Sequence, residues 1–581
     1  MTHPRLPLGR VIAPAEHDST SGEFYFWVDR EQGVERTQIV TTRSKVGDRE
    51  VSFVGIVQEV YRRSRQKDVG EEAARFDGRC GERPMFASEG VTYAEVAILR
   101  TDPVAHTPPT EESEVFLATA KEAAEGYGLD KMKQRLDVGL LRNGGTLFAG
   151  RAAIDLAFLL GENGGHMNVN GIAGLGTKST LLLTMNWLLL REVARRKAEK
   201  PGDHERLQIV PVVFNVKNFD LFFIDRWNTE FRKNETDNRH DWREMGVEEP
   251  KPFDKPSFFA PQQPGLSTPM PTGGRSEDVQ AYSWSLSNIV EEGLFSFLFS
   301  EDDVQDANFG GLVTSLEEWL TDDFNGTIKL QANKPQTFAE LLEHFREHYR
   351  DKDFFAEYHI GTKGKLYRKL KFIVDKGDGV LRRKDVKGIP LKIPQSGVES
   401  PIVIDLYNLQ STPSLQRFVV AAVFHQIQQA QSRKQVKNLK YLITLDELNR
   451  FAPKDSSDPI TQKLETVASE GRSQGIILFG AQQQASLVKP RVIENAAFRA
   501  VGRSGTLELG ADVWKFLGPS ARSAASQLQP EEKLLYLPSF REPMLAKIPF
   551  PPFALSENDA EAAVVPAGVK PRRNTADADG W

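Results

Sequence analysis

Asn170-Gly171-Ile172-Ala173-Gly174-Leu175-Gly176-Thr177-Lys178-Ser179-Thr180 stands between a short run, Met167-Asn168-Val169, and a long apolar one, Leu181 to Leu190. That is the order strand, glycine-rich turn, helix. Glycines let successive backbone N–H groups turn inward around phosphate oxygens, and the helix that follows adds its positive end. Lys178 can reach the outer phosphates and Ser179 can offer a hydroxyl to Mg²⁺. The usual pattern, G-x-x-x-x-G-K-[ST], places glycine directly before the lysine, yet Thr177 holds that position and Ile172 stands where the first glycine belongs. Taken alone, the stretch is either a variant phosphate loop, with Gly174, Gly176, Thr177, Lys178, Ser179 and Thr180 around the nucleotide, or a chance run of glycines.

Outward from this loop, strands and helices alternate. Strand 166–170 leads into the loop and a helix at 178–197. Strand 208–214 follows. Strand 401–407 precedes a helix at 413–431, strand 440–446 a helix at 460–470, and strand 475–480 comes last. Continuously apolar strands alternating with helices predict a mostly parallel α/β sheet. Upstream, Val11-Ile12, Phe24 to Val28, Gln38 to Val40, Val51 to Val57 and Tyr93 to Leu99 are short β-type runs separated by Gly, Asp and Ser. Such spacing predicts a small barrel or sandwich, with loops at 62–75 and 82–91. The expected organisation is a β-barrel over 1–110, a helix at 114–125 within a linker over 111–150, and an α/β core formed by 151–217 and 401–550. Between the two core segments lies an insertion, 218–400. Its first part is rich in proline and loop-like; its second is helical at 281–299, 311–321, 337–350 and 364–374. The tail, 551–581, is low in aromatics and predicted to be mobile.

Bulk properties set bounds. The chain has 581 residues, 40% hydrophobic and 27% charged, with a formal net charge of -6 and a pI near 6.0. No global basic excess points to nucleic acid, so any DNA contact needs a local basic surface or a pore made by assembly. The single cysteine, Cys80, excludes an intrachain disulfide and a cysteine metal cluster and fits a reducing cytoplasm. No apolar targeting segment opens the sequence, and the longest apolar runs are about half a membrane span.

Lys440-Tyr441-Leu442-Ile443-Thr444-Leu445-Asp446-Glu447-Leu448 is an apolar strand ending in two adjacent carboxylates. Alternation separates their side chains, so Asp446 can hold Mg²⁺ through water while Glu447 polarises the attacking water. The bland alternative is a solvated acidic turn. Ile476 to Gln484 is a further strand ending in polar residues, which makes Gln482 a candidate sensor of the terminal phosphate. Arg472, Arg499 and Arg503 flank this strand and the next. One of them could stabilise transition-state charge in a neighbouring subunit, and Arg472, after Glu470-Gly471, is the first choice. Residues 361–387 hold ten Lys and Arg against three Asp, which is either a track for a phosphate backbone or a solvated face. Lys489 and Arg491 are further candidates for facing a pore. His166 and His425 lack metal-ligand spacing and read as structural.

The segment His166 to Ser179 resembles a bacterial branch of the HerA-like DNA translocases, in which the loop reads N-x-x-G-[IM]-[SA]-G-x-x-T-K-[ST]. Thr177 belongs to that variant pattern. Phe214-Asn215-Val216-Lys217 with Asp220-Leu221, the Asp446-Glu447 pair, the Glu470-Gly471-Arg472 turn, the Gln482 strand and Leu537-Pro538-Ser539-Phe540-Arg541-Glu542-Pro543 agree in order. The resemblance implies a homohexameric ring of RecA-like phosphate-loop ATPase domains with small N-terminal barrels, using ATP and Mg²⁺ to move double-stranded DNA through its pore. It further implies a separate effector, a nuclease or a sirtuin-like NAD-consuming enzyme, in antiphage defence or DNA-end processing. Two other readings remain at this level: a nucleotide-gated ring that scaffolds the effector with little translocation, and a small-molecule kinase.

Overall fold

The computed structural model describes residues 5–562, apart from 16, 65–67, 75, 80, 82–89, 163, 173–176, 204, 219, 267, 269, 273–274, 276, 325–326, 434–435 and 457–458. Six antiparallel strands come first: β1 (Gly9–Ile12), β2 (Glu23–Val28), β3 (Ile39–Val46), β4 (Arg49–Arg63), β5 (Val91–Asp102) and β6 (Glu114–Leu117). They close into a barrel in the order β1-β2-β5-β4-β3-β6. Phe24, Phe26, Val40, Phe53, Val96 and Val115 fill its interior.

The helix expected at 114–125 divides in two. Its first four residues are β6, which closes the barrel by pairing with β1 and β3. Val115 is drawn into the barrel core, and the helix Ala120–Gly126 begins only after Thr119, whose side chain caps it in a reciprocal box with Glu122. The expected linker also supplies β7 (Arg135–Asn143) and β8 (Leu147–Asp155), an antiparallel pair at one edge of the main sheet. In the region expected as loop at 62–75, β4 runs on to Arg63 and a short helix covers Val69–Ala74.

The remaining strands are β9 (Met167–Asn170), β10 (Gln208–Asn215), β11 (Ser257–Pro261), β12 (Val279–Tyr282), the separate hairpin β13 (Thr321–Phe324) and β14 (Thr327–Leu330), β15 (Ile402–Asp405), β16 (Leu439–Leu445), β17 (Ile476–Gln482), β18 (Phe498–Val501), β19 (Glu532–Tyr536) and β20 (Met544–Lys547). The main sheet has twelve strands in the order β12-β11-β15-β10-β16-β17-β9-β18-β19-β20-β7-β8. From β12 to β18 all neighbours are parallel, and from β18 to β8 all are antiparallel. The glycine-loop strand β9 is thus separated from the carboxylate strand β16 by one strand, β17, which is the RecA-like order.

Strand alternation builds the core on both faces. Val210, Val212, Phe214, Ile402, Ile404, Tyr441, Ile443, Ile476 and Leu478 face the helix Pro413–Ser432 and the insertion helices. Ile209, Val213, Val403, Leu442, Ile477, Phe479 and Val169 face the helix Thr177–Glu199, through Leu181, Leu182, Met185 and Leu189. Both faces are apolar, so these strands read as unbroken hydrophobic runs.

The insertion departs from its expected outline. Its proline-rich part contributes β11, because Phe258 and Ala260 bury against the sheet. The helix expected at 281–299 becomes β12, the helix Leu286–Glu291 and a turn at Phe295–Leu298; Gly293, at φ +63°, breaks the run. Helices Ala307–Leu320, Phe338–His348 and Ile360–Lys376 follow. The first part of the tail is packed rather than loose: Phe553 and Ala554 are buried, and Phe553 bridges to Trp227. Tail residues beyond 562 lie outside the described residues. No helix among the described residues is long and apolar enough to cross a membrane.

Candidate nucleotide site

Parallel strands present their carboxyl ends along one edge, where a ligand crevice forms. Asn170 and Gln482 end β9 and β17 there, Asp446 directly follows β16, and Lys217 follows the end of β10. Gly174 and Gly176 lie outside the described residues, as does the side chain of Thr177. Lys178, in the first turn of the helix Thr177–Glu199, is 5% exposed, and its Nζ donates to the carbonyl of Gly171 at 3.2 Å. Burial pulls its pKa down, with Asp446 and Glu447 opposing and Lys217 adding to the depression. Such a buried ammonium is suited to an anion placed beside it. Ser179 and Thr180 are half-buried in the same turn.

Ser179 Oγ donates to Asp446 Oδ2 at 2.7 Å, joining the helix start to the carboxylate strand across β17. A hydroxyl and a carboxylate are the hard oxygen donors that Mg²⁺ takes. Glu447 is buried and adopts φ 56°, ψ 50°. This left-handed conformation of a non-glycine residue costs on the order of 1–3 kcal/mol and occurs where a side chain must be aimed. The turn is held from below: Leu448 packs against Gly480 of β17, where a Cβ would lie 2.7 Å from Leu448 Cδ2.

Two partners of the acidic pair were missed in the sequence. Lys217 Nζ lies 3.5 Å from Asp446 Oδ2 and closer still to Glu447 Oε1. Gln483 Nε2 donates to Glu447 Oε1 at 3.0 Å. Burial disfavours the charge of Lys217, but Asp446 and Glu447 outweigh it and raise its pKa. Burial likewise disfavours the Glu447 carboxylate, and Lys217 outweighs that, lowering its pKa. The sequence signal for Lys217 was its place two residues after the apolar end of β10. For Gln483 there was none beyond adjacency to Gln482.

The other expected residues are placed as follows. Gln482 forms a reciprocal amide pair with Asn168 of β9, at 3.0 and 2.8 Å, and is fully buried. Arg472 is exposed in the turn that precedes β17, at the opposite, amino edge of the sheet. Arg499 stacks on Phe516 at 4.6 Å and donates to the carbonyls of Ala496 and Glu494. Arg503 is exposed at the carboxyl edge, and its carbonyl accepts from Ile172 N–H at 2.9 Å beside the glycine turn. The basic run 361–387 is largely spent inside the chain. Lys365 and Lys369 pair with Asp303, Lys371 and Arg383 with Asp375, and Arg382 with Asp385. Lys363 is buried on the carbonyls of Asp351 and Phe354. His166 accepts from Leu478 N–H at 2.9 Å, and His425 contacts Gln429 at 2.8 Å; both are structural. No cluster of three or more metal-ligating side chains occurs among the described residues.

No protein-family model and no curated protein matches this sequence. Among solved structures, the chain is similar to VirB4 of Thermoanaerobacter pseudethanolicus, at 15% identity and TM-score 0.42, covering 72% of this chain and 98% of that one. It is similar to the bacterial conjugative coupling protein TrwB, at 13% identity and TM-score 0.39, covering 68% and 88%. Likeness to the genome packaging NTPase of Sulfolobus turreted icosahedral virus 2 covers 26% of this chain, at 11% identity and TM-score 0.20. These likenesses are distant, so the reading of the site rests on its own geometry.

Proposed function

We propose that this chain is an ATPase subunit of a homohexameric ring that moves double-stranded DNA through its pore, in the cytoplasm, as the resemblance to HerA-like translocases implies. The observation that carries the ATPase part is the convergence of Lys178 and Ser179 with Asp446 and Glu447, two segments far apart in sequence, onto one edge of the sheet. In this reading the backbone around Gly174, Gly176 and Thr177 cradles the phosphates, with Thr180 beside them, and Lys178 meets the outer ones. Ser179 and Asp446 hold Mg²⁺, which when bound neutralises charge on the phosphoryl oxygens. Glu447 orients the attacking water and takes its proton as the oxygen joins the terminal phosphorus and the bond to the ADP oxygen breaks. Gln483, already on Glu447, takes the sensing position that spacing gave to Gln482, and Gln482 acts behind it by fixing β17 to β9. Arg472 serves a neighbour's site. The effector, a nuclease or a sirtuin-like NAD-consuming enzyme in antiphage defence or DNA-end processing, is a separate protein.

The test combines two variants. Lys178→Ala is expected to weaken ATP binding by two orders of magnitude or more, about 2.7 kcal/mol. Glu447→Gln should keep ATP binding and lose about 10²-fold or more of turnover. Unchanged ATP affinity in Lys178→Ala removes the nucleotide site. If linear duplex DNA leaves hydrolysis unaltered while the effector is still activated, the ring is a nucleotide-gated scaffold instead. A stable monomer that phosphorylates a small molecule would make it a kinase.

A further inference from the structure

Two cations and two carboxylates share the carboxyl edge, and one of the cations has no part in the hydrolytic scheme. Lys178 is fixed: it is buried, on a helix, and bonded to a backbone carbonyl. Lys217 is only half-buried and is held by side-chain ion pairs rather than by a helix. Its side chain is 38% exposed, and it sits just beyond β10, next to Asn218 at φ 41°. From there it reaches the oxygens the chemistry needs. On Asp446 it approaches Oδ2, the atom that Ser179 Oγ also touches. On Glu447 it approaches Oε1, the atom that Gln483 also donates to.

Each contact has a consequence. An ammonium beside Asp446 Oδ2 holds the charge that a divalent cation would hold there, so the two compete for one carboxylate. A carboxylate oxygen paired with the Lys217 ammonium is less basic and faces that cation, which leaves it poorly placed to take a proton from water. An ATP-borne phosphate lying against Lys178 would also lie within reach of a lysine that shares the same pair of carboxylates, and its negative charge would draw that lysine off them.

We propose that Lys217 is a positioning residue that withholds Glu447: it competes with the divalent cation at Asp446 and occupies the Glu447 carboxylate until the nucleotide's phosphates draw it away. This rests on the nucleotide-site reading above. It makes hydrolysis contingent on a fully seated nucleotide and keeps turnover low otherwise. Lys217 is the device and Glu447 the group it governs; Lys217 acts through that carboxylate and not on the phosphorus or the water.

The test uses the full chain and two readouts. Without nucleotide, free Mn²⁺ is followed by electron paramagnetic resonance. Lys217→Met is expected to bind Mn²⁺ roughly tenfold more tightly, since a unit charge at this distance is removed, and Lys217→Arg to bind it like the native chain. With ATP and no DNA, Lys217→Met is expected to lower KM for Mg·ATP several-fold with kcat little altered, because saturating nucleotide releases the lock in the native chain as well, while Glu447→Gln/Lys217→Met stays inactive. Unchanged Mn²⁺ affinity in Lys217→Met overturns the proposal. So does a fall in kcat, which would make Lys217 a catalytic cation. A matching thermal midpoint for Lys217→Met and Lys217→Arg separates these outcomes from a folding defect. If Lys178→Ala left ATP binding intact, the nucleotide reading would fail while the Mn²⁺ arm still judged the lock.

Discussion

The two edges of the parallel half of the sheet are built from the same strands and behave differently. At the carboxyl edge, Lys178, Ser179, Asp446, Glu447, Lys217 and Gln483 hold one another within one cluster. At the amino edge, Arg472 stands exposed in a turn and His166 is buried in the backbone of β17. The difference follows from chain direction. Strands end at the carboxyl edge and helices begin there, so side chains from strand ends meet helix N-terminal N–H groups of positive polarity. The amino edge has no such convergence. An arginine there is separated from its own chain's site by the length of β17, seven residues and roughly 23 Å. It can act on a nucleotide only if the site belongs to another molecule.

The largest expected effect tests that separation. Arg472→Ala should reduce turnover by about 10³-fold if the residue acts across a subunit boundary, with ATP affinity nearly intact. Turnover of rings mixed with native subunits should then fall more steeply than the fraction of mutant. A loss strictly proportional to mutant content would assign the trans role elsewhere, with Arg503 next by position, because it is exposed beside the glycine turn.

A smaller effect sharpens the carboxyl edge itself. Gln483→Ala should lower kcat about tenfold by releasing Glu447, with the thermal midpoint unmoved. Gln482→Ala should instead lower the midpoint, because it leaves Asn168 unpaired inside the sheet, at a cost of about 1–3 kcal/mol. The reverse pattern would restore the sensor role to Gln482.

The smallest effect lies at the amino edge. Burial, with Arg472 adding to it, lowers the pKa of His166 to about 4. The ring is neutral in the folded chain and accepts the Leu478 N–H. Below pH 6.5 the unfolded chain takes up a proton there and the folded chain does not until about pH 4. Stability from this residue is therefore complete above pH 6.5 and is lost as pH falls towards 4, by up to about 3 kcal/mol. His166 sits at φ 65°, which asparagine tolerates, so the pH dependence of urea-unfolding stability of the native chain and of His166→Asn should differ only within that window. Parallel pH profiles would mean that His166 titrates normally.

Much of the fold was legible. Unbroken apolar strands alternating with helices placed β9, β10, β15, β16 and β17 to within a few residues, because burial on both faces leaves a strong signal. Short amphipathic runs likewise announced β2 to β5. The misreadings have physical causes. Glu114 to Leu117 looks helical by composition, but its strand is made by pairing across the barrel with residues distant in sequence. The proline-rich approach to β11 looks like loop, since Phe258 and Ala260 gain their burial only from a sheet edge formed elsewhere.

By itself the sequence determined which residue types end the strands: a lysine and a serine opening one helix, two carboxylates closing one strand, glutamines closing the next. Local pattern suffices for that, because periodicity and turn chemistry are properties of neighbouring residues. Only the tertiary structure decided who meets whom. It put β17 between β9 and β16, turned Gln482 to Asn168 and Gln483 to Glu447, folded the 361–387 cations onto the chain's own acids, and brought Lys217, some 230 residues distant in sequence, onto the Asp446–Glu447 pair. Charge pairing depends on distance in space, and strand order, which sets that distance, is written in no single segment.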